Sequence, residues 1–327
     1  MTAPSHADAN GESDVMPVLP ATSPTSPATS LVIPSRNRGD LLFETVESVL
    51  GGDQVPTEIV VVDQSDEPDD RLQRLADSER TRVRYLWSRD SGVSRARNRG
   101  IREAKYDALL FVDDDMRVTP SWCRELVGTL VEAGPTTAVT GRVLPEAPAD
   151  GDGFVPSTID DPDPVLYAGR IGTDILYSNN MALWRSMVEA VGYFDERLGG
   201  GAPFRAAEDN EFAFRILEAG FRIQYTPKAT LYHRAWRSKA DYHPLSWSYG
   251  YGQGAYYAKH LGFRDRHMLW RFRHDLGQRF LRMLRFARHQ PHRAVGQFIY
   301  MAGMVTGGCR WMMSRAVGRI SGSRGSR

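Results

Sequence analysis

The 327-residue sequence has little cysteine. Cys123 and Cys309 stand far apart and without the spacing of a metal site. That gives no disulfide framework and fits a reducing compartment. Long apolar runs are missing too: a spanning helix needs about 18 apolar residues. The nearest approach is 294–309, 16 uncharged residues between Arg293 and Arg310, and it holds Gln297, Thr306 and four glycines. A secretory pattern is absent from residues 1–30, which are rich in Ala, Pro, Ser, Thr and Asp, with no basic n-region and no apolar h-region. They predict a disordered leader over 1–29 and no transit peptide. The sequence has neither a Walker A loop nor a GxGxxG, so P-loop and dinucleotide-binding readings lose their signatures.

Lysine disappears from residue 261 onward. That tail has 14 arginines against 2 aspartates, a formal +12; with +1 for the whole chain, the rest carries −11. An acidic body with a basic tail predicts that the tail meets something anionic. Otherwise the composition, 41% hydrophobic and 25% charged, is that of a globular protein, long enough for one large or two ordinary domains.

Short β-branched runs alternate with helical patterns. Leu31–Ile33, Glu58–Val62, Val83–Trp87 and Ala108–Val112 read as strands, the second lacking alternation and so expected to be buried on both faces. Residues 40–50 and 94–104 suit helices. Such alternation predicts an α/β fold with a mainly parallel central sheet flanked by helices, whose ligand crevice lies outside the carboxyl ends of the strands. Further on, 145–164 is loop-rich, a short helical piece spans 184–191, and 199–203 is a glycine run expected to be mobile. A helix opens at Glu208-Asp209 and ends at Gly220, and strands at 221–225 and 229–232 flank Pro227. Residues 267–290 place Leu269, Phe272, Leu276, Phe280, Met283 and Ala287 at steps of three or four among arginines, a basic amphipathic helix.

Polar groups collect at the predicted strand ends: Pro34 to Arg38, Asp63, and Asp113-Asp114-Asp115. Three adjacent acids repel one another, and a hard divalent cation would relieve that cost. An isolated acidic turn is the plain alternative. Asp63 reads either as an acceptor for a base or ribose or as a turn cap. Residues 92–100, GVSRARNRG, offer amide and guanidinium donors for phosphate or ribose oxygens, or a solvated basic face. Glu208-Asp209 reads as a base-bearing pair or as an ordinary acidic first turn.

Taken in order, LVIPSRNR (31–38), EIVVVDQS (58–65), GVSRARNRGI (92–101), ALLFVDDDM (108–116), SNNMALWRS (178–186), VGYFDERLGGG (191–201), AEDNEFAFRILEAGFRIQYTP (207–227) and ATLYH (229–233) resemble the family 2 glycosyltransferases, of the GT-A nucleotide-diphospho-sugar transferase fold. The resemblance implies a glycosyltransferase domain over 30–260, with 261–327 as a basic helical extension. It implies an inverting, metal-dependent transfer from a nucleotide-diphosphate sugar to an acceptor hydroxyl on a glycan or lipid-linked molecule, in cell-surface glycan or glycoconjugate synthesis. Asp209 resembles the catalytic base. Asp113, Asp115 and His233 resemble ligands of Mg2+ or Mn2+. Pro34, Ser35, Arg36, Arg38, Asp63, Gly92, Asn98, Asp114, Asn180 and Glu208 are expected to bind the nucleotide sugar, Asp114 through a ribose hydroxyl. Where many members carry a further acid after the triplet, this sequence has Met116. A sugar-phosphate nucleotidyltransferase would show a glycine-rich loop where this chain has PSRNRGD, and a non-catalytic nucleotide-sugar-binding protein would not need all three of Asp113, Asp115 and Asp209. The expected location is cytoplasmic, peripheral to an anionic membrane face through the basic tail. Nucleic acid is not expected, because no groove-reading motif accompanies the arginines.

Overall fold

A computed structural model of the chain describes residues 26–76, 82–146, 153–261 and 266–323, with side chains described through 314. The expected leader lies outside the described residues up to position 25, and Thr29 already belongs to the first strand. The amino-terminal half runs β1 (Thr29–Ser35), α1 (Gly39–Leu50), β2 (Glu58–Asp63), α2 (Asp70–Ala76), β3 (Val83–Trp87), α3 (Val93–Glu103), β4 (Ala108–Val112), β5 (Met116–Val118) and α4 (Trp122–Ala133). Then come β6 (Thr137–Pro145), β7 (Gly153–Phe154), β8 (Val165–Ala168), β9 (Asn180–Trp184), α5 (Arg185–Val191), α6 (Glu208–Glu218), β10 (Arg222–His233) and β11 (Arg237–Ser238). Three helices close the chain: α7 (Tyr242–His260), α8 (Arg266–Phe286) and α9 (Pro291–Ser323).

The fold class is the expected α/β one, with a mainly parallel sheet. Its order is β3-β2-β1-β4-β9-β6-β10-β5, with β8 also on β10. β1, β2, β3 and β4 are parallel, and β9 runs antiparallel between β4 and β6, so β6 and β10 return to the common direction. The Val/Ile runs that lacked alternation are indeed buried throughout, as in Val60, Val61 and Val62. Helices α1 and α4 cover one face through Leu42, Val46, Trp122 and Leu126; α3, α5 and α6 cover the other through Ile101, Met187, Phe212 and Ile216. Gly100 lets α3 approach β1, since a Cβ there would lie 2.3 Å from a Val32 methyl.

Two expectations need correction. Pro227 does not divide two strands: β10 runs through it and absorbs it as a register shift between Thr226 and Thr230, where a strand can spare the missing N–H. The glycine run is not loose: Val93 N–H donates to Gly200 O (2.9 Å) and Gly199 N–H to Phe204 O (2.8 Å), tying it to the start of α3.

The boundary expected at 260/261 falls at the end of α7, and α9 packs back along that helix. The contact is glycine against backbone: a Cβ on Gly250 would lie 2.1 Å from Tyr300 O and one on Gly254 1.8 Å from Met304 O. Gly303 and Gly307 answer from α9 against the Trp247–Tyr251 backbone. The uncharged stretch 294–309 is thus one side of a tight helix pair.

Candidate active site

β4 stops at Val112 and β5 turns back onto β10, so Asp113–Asp115 sit on the corner between them. Met116, fully buried, holds that corner down. Facing the corner is a cleft of about 940 Å³, lined among others by Pro34, Ser35, Arg36, Arg38, Gln64, Gly92, Arg97, Asp113, Asp114, Asp115, Glu208, Asp209 and His233. Ten of the residues expected at the site therefore share one cavity with the candidate base.

Each acid of the triplet has a different partner. Asp113 accepts from Arg97 (2.7 Å). Asp114 accepts from the Ser35 hydroxyl (2.7 Å) and from Arg38 (3.2 Å). Asp115 also takes Arg38, and its other oxygen lies 3.4 Å from Nε2 of His233. Burial pushes Asp114 up to about 7, against the pull of Arg38 and with Asp115 adding repulsion. Burial acts on Asp115 in the same sense, but its bonds and charge contacts with His233 and Arg38 win and hold it down at about 2. Asp114 is thus turned toward β1 and α1, into Ser35 and Arg38.

Arg97 joins this wall to the next. It is 1% exposed, and its second Nη donates to Glu208 at 3.1 Å. Residues 92–100 are therefore not a solvated basic face: Ser94, Ala96, Arg97 and Asn98 are all buried. Ala207, at φ +68°, takes a left-handed turn that brings Glu208 and Asp209 to the cleft as α6 starts; for a residue with a Cβ that conformation costs about 1 kcal/mol or more. Apart from its neighbour's N–H (2.9 Å) the Asp209 carboxylate has no hydrogen-bond partner among the described residues. Burial raises its pKa well above the ordinary range and Glu208 adds to it, against Arg97. The amino-terminal dipole of α6 and the nearby Arg97, both of which favour a charged carboxylate there, do not outweigh burial. A carboxylate of raised pKa is a stronger base once its proton is gone.

Three expected ligands go elsewhere. Asn98 spends its amide on the Phe194 carbonyl (2.9 Å) and Glu196 (3.1 Å), clipping the loop before the glycine run. Asn180 is fully buried and sews the sheet: it accepts from Trp122 Nε1 (2.9 Å) and donates to Arg142 O (3.0 Å) and Ala229 O (2.9 Å). Its neighbour Asn179 lines the cleft instead. Asp63 is buried at the end of β2, accepting from Ser65 and from the Tyr85 hydroxyl (2.6 Å); Gln64 takes the place at the rim.

Among the described residues no three His, Cys, Asp or Glu side chains close around a point as a metal cage. The donor chemistry nonetheless fits a hard cation that keeps open positions. Nδ1 of His233 meets the Pro156 carbonyl at 2.8 Å, which requires the proton on Nδ1. Nε2 faces Asp115 at 3.4 Å, so a proton on Nε2 or a cation between the two would complete the pair. Arg38 supplies positive charge at the same carboxylates.

The cleft continues past Asp209 in a direction the sequence did not announce. Asn210 donates to Gln253 (2.9 Å), Gln253 to Asp174 (2.8 Å), and Asp174 accepts from Arg271 of α8 (2.6 Å). Tyr249, Tyr257, His274, Gln278, Arg279 and Arg282 line this far half.

Residues 30–158 match the family model described as Glycosyl transferase family 2. The glucosyl-dolichyl phosphate glucuronosyltransferase of Haloferax volcanii is 27% identical over 223 residues, 64% of this chain and 69% of that protein. The pre-mycofactocin glycosyltransferase of Mycobacterium tuberculosis is 27% identical over 226 residues, and this chain spans only 44% of its length. Among solved structures, the mannosyltransferase PcManGT from Pyrobaculum calidifontis, in complex with GDP-Man and Mn2+, superposes with a TM-score of 0.59 at 17% identity, over 86% of this chain and 87% of that one. GalNAc-T7 with UDP, GalNAc and Mn2+ gives 0.53 at 18% identity, over 77% of this chain and 55% of that one. Strand order and these likenesses agree: residues 30–158 match the family 2 glycosyltransferase model, and the chain has the α/β fold of the GT-A glycosyltransferases.

Proposed function

We propose that the chain is a metal-dependent inverting glycosyltransferase that moves a sugar from a nucleotide diphosphate to an acceptor hydroxyl, in the synthesis of a cell-surface glycan or glycoconjugate. One observation carries the reading. Arg97 bonds Asp113 on one wall and Glu208, next to Asp209, on the other, so an acid corner and a candidate base face one cavity.

Asp113, Asp115 and His233 would hold Mg2+ or Mn2+, which supplies positive charge to a leaving diphosphate. Pro34, Ser35 and Arg36 would border the nucleotide, and Arg38 would exchange its carboxylates for phosphate oxygens. Asp209 takes the proton of the acceptor hydroxyl. The oxygen attacks the anomeric carbon, the bond to the diphosphate breaks with its electron pair on the leaving oxygen, and attack from the opposite face inverts the centre. Arg97 keeps Glu208 and Asp113 in register while charge moves between the walls.

The decisive variant is Asp209→Asn. It should bind UDP or GDP with Mn2+ as the parent does and lose transfer by about 10²- to 10⁴-fold; full transfer would remove the base assignment. We further propose that the carboxyl-terminal helices rest on an anionic membrane face, at the cytoplasmic side. Supporting this, α8 exposes Leu281 (60%) and Leu284 (53%), each followed by an arginine, Arg282 and Arg285.

A further inference from the structure

The far half of the cleft is not accounted for by a nucleotide sugar. Following the hydrogen bonds outward, the order is Asp113, Arg97, Glu208 and Asp209, then Asn210, Gln253, Asp174 and Arg271. In the reading above the donor occupies the side of the acid corner. The side of α8 then belongs to the acceptor, with Asp209 between the two.

The wall that α8 presents there has a definite chemistry. Its cleft residues, Arg271, His274, Gln278 and Arg282, recur at steps of three and four and so share one helix face. Asp174 neutralises Arg271 (2.6 Å), and Asp275 neutralises the neighbouring Arg279 (3.2 Å). Arg282 has no acidic partner among the described residues, and neither has His274, whose ring stacks on Trp270 at 5.0 Å. Unpaired donors thus stand on this face, beside Trp270 (49% exposed), which stacks on His274, and Leu281 (60%), next to Arg282 in the chain. A tetrahedral phosphate can take donors from several directions at once, and a guanidinium is the side chain best matched to it.

We propose that His274, Gln278 and Arg282 form a subsite for a phosphate group carried by the acceptor. This rests on the glycosyltransferase reading. The apolar surface beside the subsite would accept a hydrocarbon chain attached to that phosphate; a soluble phosphorylated acceptor would use the same donors without it.

The test measures binding of dodecyl phosphate, below its micellar concentration, to the full chain. Dodecyl maltoside serves as the uncharged chain and glucose 1-phosphate as the soluble phosphate. Arg282→Gln should weaken dodecyl phosphate binding about tenfold, a loss of one charge-assisted contact. Arg273→Gln, on the opposite side of α8 and outside the cleft, should leave it unchanged. Glucose 1-phosphate binding as tightly with the same Arg282 dependence marks a soluble acceptor; much weaker binding marks a lipid-linked one. The proposal is overturned if Arg282→Gln changes nothing, if Arg273→Gln costs as much, or if dodecyl maltoside binds equally well. UDP and GDP binding with Mn2+, followed in parallel, reports on the donor reading separately. Arg282→Gln should not touch it, and an equal loss of both ligands would overturn the assignment to the acceptor side.

Discussion

Arg97 is buried between two acids, and that arrangement explains why the acid corner holds together. A guanidinium taken out of water is tolerable only with paired, hydrogen-bonded partners, and Asp113 and Glu208 supply them from different segments. The neighbouring carboxyls divide by environment, which makes their pH responses opposite. Asp114 titrates near 7 in the folded chain, above its unfolded value of 3.8, so the folded state holds the extra proton between those values. Its contribution to stability is therefore present at low pH and lost as pH rises through 7. Asp115, held at about 2, contributes above 3.8 and loses its contribution as pH falls through 2. In EDTA, Asp114→Asn should raise the melting temperature relative to the parent more at pH 8 than at pH 5. Asp115→Asn should lower it at both. Thermal unfolding at the two pH values checks this, and a common sign for both variants would contradict the assignment.

At the scale of elements, the first four strands, α1 and α6 were legible because apolar periodicity reports burial, and α8 because its pattern has the helical period, although Leu269 and Phe280 of that stripe stay exposed. β9, which lies antiparallel between β4 and β6, was not, since pairing direction leaves no mark in a five-residue strand with four apolar residues. Helix α7 was hidden by its composition, rich in Gly and Tyr, both weak helix formers. Its glycines are there for contact. Gly254→Ala would drive a methyl into the Met304 carbonyl, 1.8 Å away, and should cost about 1–3 kcal/mol by urea unfolding. Gly277, in α8, has nothing within 4 Å of an added methyl, so Gly277→Ala should stabilise by about 0.5–1 kcal/mol. Equal effects at the two positions would mean that α7 and α9 do not meet as described.

For the molecule as a whole, the charge asymmetry becomes a surface. Arg282 of α8 lines the far half of the cleft and exposed Leu281 is its chain neighbour, so membrane contact and acceptor access would meet on this helix. No described helix is long and apolar enough to cross a membrane. Leu281→Ser with Leu284→Ser removes two exposed leucines, each worth about 1.5–3 kcal/mol if fully buried in lipid. The pair should reduce cosedimentation with anionic vesicles at least tenfold, and 0.5 M salt should weaken the parent's binding. Unchanged cosedimentation would exclude contact through this side. Because α8 lines the cleft and α9 is locked to α7, we propose that 30–260 and 261–327 act as one unit.

The sequence alone determined the α/β class, the strand ends where the cleft opens, the acid corner, the candidate base and the basic amphipathic helix. All of these rest on patterns local to a few residues, and local patterns survive in one dimension. Only the tertiary structure decided that Arg97 spans the walls, that Asn98 and Asn180 spend their amides on backbone, and that α8 completes the cleft. Those outcomes depend on which distant segments meet, and a polar side chain's role is set by the partner it meets rather than by its own chemistry.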